Sequence, residues 1–191
     1  MKDLLVQSVE KHRQALEKSF SDAQIDVLDR IGKELVKTLK SGHKILLCGN
    51  GGSAADAQHI AAEFIARFKK DRRSLPALAL TTDTSILTAV ANDYDYSQVF
   101  SRQVEGLGVK GDALIAISTS GKSRNVLEAV RQAKHQGLYT IGFTGGAGGS
   151  LKEMADICYA ALASETSHIQ EMHITALHAI SEAIEEIFFG S

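Results

Sequence analysis

Ser53, Ser118, Thr119, Ser120 and Ser123 bring hydroxyl groups to two short, glycine-bearing segments, Gly49-Asn-Gly-Gly-Ser53 and Ser118-Thr-Ser-Gly-Lys-Ser123. Hydroxyls donate hydrogen bonds to an anion, and glycines let backbone N–H groups and helix amino termini approach it closely. That chemistry is a phosphate cradle. The first segment lacks the Lys-Ser/Thr ending of a nucleotide-triphosphate loop, and Ala54 stands where a dinucleotide fingerprint needs its third glycine. A phosphate monoester fits better. Either loop alone is also what turns and helix caps look like. Four hydroxyls within the six residues 118–123 favour the cradle.

A second group of side chains suits proton transfer or metal binding. His59 and Glu63 stand four apart on a predicted helix, so they share a face, although a solvated pair has the same spacing. Near the end of the chain Gln170, Glu171, His173 and His178 lie on one predicted helix. Gln170 and His178 are eight positions apart, about 12 Å along the axis, and cannot sit side by side. One metal between them requires both side chains stretched toward each other, or ligands from two copies of the chain. His173 has apolar neighbours and reads as a packing or hydrogen-bonding histidine. His12, His43, His135 and His168 read as surface residues.

These residues need elements to hold them. Short apolar runs at Lys44–Cys48, Ala77–Leu80, Asp112–Ile117, Tyr139–Phe143 and within Ile157–Ala163 predict five strands, several of them leading into glycine or serine loops. The segments after them are periodic: Ala54–Phe68 is an alanine-rich helix, and Val126, Leu127, Val130 and Ala133 mark another. Alternation of this kind predicts an α/β fold, a parallel sheet with helices on both faces and ligands outside the carboxyl ends of the strands. Before Gly42, Leu5, Val9, Leu16 and Phe20, then Ile25, Leu28, Ile31, Leu35 and Leu39, predict two helices. The last helix, about Glu165 to Phe188, is expected to bury Ile169, Met172, Ala176, Leu177, Ile180, Ile184 and Ile187. This is more helical surface than one small sheet covers, which points to helices packing between subunits.

Composition narrows the partners. The 191 residues fit one domain, 1–191, with the helical pair 1–41 used in oligomer packing and an α/β core with its final helix at 42–191. Lys and Arg total 21 against 23 for Asp and Glu, a net charge of −2, which lacks the basic excess a nucleic-acid or anionic-membrane binder uses. No apolar run reaches the roughly 18 residues of a membrane span, and the amino terminus has no signal-peptide core. Cys48 and Cys158 lack metal-site spacing and read as buried thiols in a reducing, cytoplasmic compartment.

GNGGSAADAQHIAAEF (Gly49–Phe64), LTTDTSILTAVANDY (Leu80–Tyr94), STSGKSRNV (Ser118–Val126) and IQEMHITALH (Ile169–His178) together resemble the phosphoheptose isomerases. These are sugar-isomerase (SIS) domain proteins of three-layer, flavodoxin-like or Rossmann-like architecture around a parallel five-stranded sheet. The resemblance implies an aldose–ketose isomerase converting sedoheptulose 7-phosphate to D-glycero-D-manno-heptose 7-phosphate through an enediol, the first step toward ADP-heptose and the lipopolysaccharide core. By the same resemblance Ser53, Ser118, Thr119, Ser120 and Ser123 hold the phosphate, and Asn50, Gly51, Gly52, Glu63, Asn92, Asp93 and Gln170 join them around the sugar. It further implies one Zn²⁺ per subunit on His59, Glu63, Gln170 and His178, a homotetramer, Glu63 as general base and His178 as general acid. The last two roles compete with ligation, because a metal-bound carboxylate is a weaker base and a ligated imidazole is neutral. Either the metal is loosely held and stabilises structure, or a ligand leaves during turnover. Thr166-Ser167-His168 departs from the arginine many relatives carry next to the isoleucine and the aspartate some carry before it. Two alternatives come with the family: a non-enzymatic relative that binds the replication initiator DnaA, which lacks the residues matching Glu63 and His178, and an isomerase or regulator for another sugar phosphate.

Overall fold

The five apolar runs are strands in the computed structural model, which describes residues 1–190. They are β1 (Ile45–Gly49), β2 (Ala77–Ala79), β3 (Ala113–Ile117), β4 (Tyr139–Gly145) and β5 (Ile157–Ala161), all parallel in the order β2-β1-β3-β4-β5. Eight helices accompany them among the described residues: α1 (Lys2–Ser19), α2 (Asp22–Lys40), α3 (Gly52–Ile65), α4 (Thr84–Asp93), α5 (Ser101–Leu107), α6 (Arg124–His135), α7 (Gly149–Met154) and α8 (Thr166–Phe189). Side chains alternate across a strand. Ile45, Leu47, Ile115, Ile117, Ile141 and Phe143 therefore meet α2, α3 and α8 on one face of the sheet. Leu46, Cys48, Leu114 and Ala116 meet α5, α6 and α7 on the other. This is the predicted α/β layering.

From β1 the sheet grows one way to β2 and the other way to β3, so the loops leaving β1 and β3 diverge at the carboxyl edge and leave a crevice. Both glycine-bearing loops singled out in the sequence flank it. No described helix is long and apolar enough to cross a membrane.

Three expectations need correction. Ile187 is not buried with the rest of the α8 stripe but is 56% exposed, beyond the reach of the sheet. His168 is not a surface residue: it is buried, because α1 folds across the start of α8, where Lys11 binds Glu165 at 2.7 Å and His12 binds Glu171 at 2.6 Å. Cys48 is buried as expected, whereas Cys158 is only partly so. Burial still pushes both thiols up, to about 12 and about 11, so neither is a thiolate near neutral pH. The helical pair also divides in behaviour. Leu28, Ile31, Leu35 and Leu39 of α2 enter the core, but α1 buries only Ala15 and Ser19 and leaves Leu4, Leu5, Val6 and Val9 facing water.

Candidate active site

The loop after β3 is the hydroxyl-rich segment predicted as a cradle. Gly121 has φ +64°, and a Cβ there would stand 2.0 Å from the Gly148 carbonyl, so only glycine lets this loop lie against the one that follows β4. The two backbones are joined where Gly145 N–H donates to the Thr119 carbonyl at 3.1 Å and Leu151 N–H to the Gly121 carbonyl at 3.0 Å. Ser118 donates to the Ser123 hydroxyl at 3.0 Å, and Ser123 is the residue at which α6 begins. Ser120 is exposed, Thr119 and Ser123 are half-exposed, and Ser118 is buried beneath them. The four hydroxyls of residues 118–123 thus lie in the one loop between β3 and α6.

The loop after β1 is its counterpart. Gly51 takes φ +56° to turn the chain into α3, and Ser53 is buried in the first turn of that helix. Asn50 and Asn125 exchange amide hydrogen bonds at 2.9 and 2.8 Å, and Tyr96 donates to Asn50 Oδ1 at 3.3 Å. The Asn50 amide therefore ties the β1 loop to α6 in this conformation. Asn92 and Asp93 lie exposed at the end of α4 and are bonded to each other at 2.8 Å.

His59 and Glu63 meet His178 within one chain. Nε2 of His59 lies 2.8 Å from Nε2 of His178 and 3.3 Å from Oε1 of Glu63, and one ligand atom of each residue falls within 4.8 Å of the other two. Helices α3 and α8 run in step: Gln170 lies over Gly52, so close that a Cβ there would be 2.5 Å from its amide nitrogen, and His178 lies against His59. Gln170 is accordingly beside the glycine loop, about two turns before the trio. The expectation that Gln170 and His178 cannot sit side by side holds, but His178 reaches His59 and Glu63 without a second chain. Burial lowers the pKa of His178, as does the neighbouring His59, while Glu63 opposes them. Two imidazole nitrogens and a carboxylate oxygen pointing at one another need a shared proton or a cation between them, and this donor set fits Zn²⁺.

His173 is the packing histidine expected. It is fully buried between Phe143 and Tyr159 and donates from Nε2 to the Thr144 carbonyl at 2.8 Å, which steadies the end of β4. Burial pushes it down to about 4. Other neighbours of the site escaped the sequence reading. Asp56, one turn before His59, has a buried oxygen without a hydrogen-bond partner, and burial raises it to about 6 against the opposing charge of His59. Its spacing to His59 and Glu63 is helical and was the available signal. The Phe68 ring packs on His178 with centroids 5.6 Å apart, and no local pattern announces it.

Residues 9–145 match the SIS domain family. The chain is 53% identical to the phosphoheptose isomerase of Roseiflexus sp. (strain RS-1) over 168 residues, 88% of this chain and 85% of that protein. With the phosphoheptose isomerase of Aliarcobacter butzleri the identity is 51% over 185 residues, 97% of either chain. The solved phosphoheptose isomerase from Neisseria gonorrhoeae superposes with a TM-score of 0.92 at 39% identity, covering 97% of this chain and 98% of that one. The shared fold and the sequence identity carry one conclusion: the chain belongs to the phosphoheptose isomerases of the SIS domain family.

Proposed function

We propose that this chain interconverts sedoheptulose 7-phosphate and D-glycero-D-manno-heptose 7-phosphate, the cytoplasmic step that opens the route to ADP-heptose and lipopolysaccharide. The observation that carries the reading is the meeting of Glu63 with His59 and His178 in a chain about half identical to phosphoheptose isomerases. Glu63 and His178 are the two residues that the DnaA-binding relative lacks, which favours an enzyme.

The phosphate binds Ser53, Ser118, Thr119, Ser120 and Ser123, and its binding energy orients the reacting end of the sugar. Asn50, Asn92, Asp93 and Gln170 contact the sugar chain. Glu63 takes the proton from C1 while His178 gives one to the C2 carbonyl oxygen, forming the enediol. Glu63 then returns its proton to C2 as the C1 hydroxyl loses its own to His178, which leaves an aldehyde at C1 and both groups as they began. Lowered basicity suits His178 to this work, since a neutral imidazole still donates its N–H.

His59, Glu63 and His178 would also hold Zn²⁺, with Gln170 of a neighbouring subunit or water completing the set. When bound, the ion supplies positive charge beside the sugar oxygens. With no thiolate ligand it is held moderately, and protons compete for the same atoms. The test is NMR detection of the aldose after mixing the protein with sedoheptulose 7-phosphate. Glu63→Gln and His178→Ala should each lower turnover at least ~10²-fold, and a chelator should remove the ion reversibly, as metal analysis would read. Near-wild-type turnover in either variant removes that residue from the mechanism.

A further inference from the structure

Beyond the trio, the segment that follows α3 is joined to α8 by a buried ion pair that the proposed reaction does not use. Arg72 and Glu185 have side chains only 3% exposed, and Arg72 Nε donates to Glu185 Oε1 at 2.8 Å. The rest of the guanidinium caps the end of α3: Nη2 donates to the Glu63 carbonyl at 2.7 Å, and Nη1 to the Phe64 carbonyl at 2.9 Å. A helix leaves its last carbonyls without partners, and here a side chain supplies them.

Glu185 is equally committed. Its Oε1 also accepts from Phe68 N–H at 3.0 Å, and its Oε2 accepts from Lys69 N–H at 2.8 Å and Lys70 N–H at 2.9 Å. Burial would raise this carboxyl, but the bonds from Lys69, Arg72, Phe68 and Lys70 outweigh it and hold it down at about 2. The tied segment includes Phe68, whose ring lies on His178.

We infer that the Arg72–Glu185 pair is a positioning clamp for the isomerisation, fixing Glu63 through its own carbonyl and His178 through the Phe68 ring. A buried ion pair is a poor source of stability, since apolar residues of similar volume often do as well or better. What this one supplies is register: six hydrogen bonds from two side chains set where the end of α3 and the 68–70 segment sit on α8. The roles of Glu63 and His178 on which the clamp acts are those of the function proposed above.

The experiment compares Glu185→Gln and Arg72→Lys with Glu186→Gln, which breaks only the exposed Lys70–Glu186 pair on the same helix. Glu63→Gln is included as the inactive reference. Kinetics are corrected for the folded fraction, and Zn²⁺ affinity is measured separately by calorimetry. Both clamp variants should lose kcat roughly 10–100-fold, with KM within about threefold and Zn²⁺ binding weakened to a similar degree. Glu186→Gln should match wild type. A residue serving stability alone would lower the folded fraction and leave kcat per folded molecule unchanged. That result, with Glu63→Gln inactive in the same assay, overturns the clamp, whereas an active Glu63→Gln instead overturns the catalytic reading. Should either clamp variant fail to fold, hydrogen exchange on the wild type decides: amides of Phe68, Lys69 and Lys70 should be protected as strongly as the middle of α8, and fast exchange there overturns the proposal.

Discussion

At the scale of single residues, burial sets which protons this protein can hold. His173 is fully buried and neutral, with its pKa at about 4 against 6.5 when exposed. Above pH 6.5 both folded and unfolded chains carry it neutral. Below that the unfolded chain takes up the proton first, so the contribution to stability falls from pH 6.5 down to about 4, by roughly 3 kcal/mol in all. Asp56 acts in the opposite sense, since its raised pKa lets the native state hold a proton that the unfolded chain releases between pH 3.8 and about 6. Urea unfolding of wild type and His173→Gln separates the two, because glutamine keeps a donor for the Thr144 carbonyl and does not titrate. The stability difference between them should shrink by about that amount as pH falls from 6.5 to 4, and parallel curves would contradict a neutral buried His173.

At the scale of elements, the loops leaving β3 and β4 work as one unit through Gly121 and Gly148. Ser120→Ala and Ser123→Ala should raise KM more than they lower kcat, because an anchor on the phosphate binds ground state and transition state alike. Gly121→Ala should raise KM at least ~10-fold by prying the two loops apart, and an unchanged KM in all three would put the phosphate elsewhere. Strands and their glycine loops were legible because a buried parallel strand is a continuous apolar run that stops where the backbone must turn. The segment between β2 and β3 was not. Helix α4 buries no residue fully and only half-buries the short stripe Leu87, Val90 and Ala91, and α5 is only seven residues long. The trio was legible in its members but not in its geometry, since 119 residues separate His59 from His178 and only the step-for-step packing of α3 on α8 joins them. Arg72 and Glu185, 113 apart, gave no local sign.

At the scale of the whole molecule, the exposed apolar residues are the surface an assembly would cover. Leu4, Leu5, Val6 and Val9 on α1, Ile25 on α2 and Ile187 on α8 are all exposed in the single chain. Burying each such side chain fully contributes ~1.5–3 kcal/mol. Light scattering should find the homotetramer that the family resemblance implies at micromolar concentration, and a monomer there would refute it. Because Glu63 and His178 meet within one chain, mixed Glu63→Gln and His178→Ala subunits should stay inactive after exchange. Recovered activity would mean that the trio is shared between copies.

The bare face of α1 has a thermodynamic consequence for the cell that makes the protein. When the cover of Leu4, Leu5, Val6 and Val9 is another copy, association is part of the folding equilibrium, and the melting temperature rises with protein concentration by mass action. A newly made chain at low abundance is then the most fragile form of the enzyme, and its lifetime against proteolysis lengthens as its own copies accumulate. Expression level thus becomes a determinant of stability.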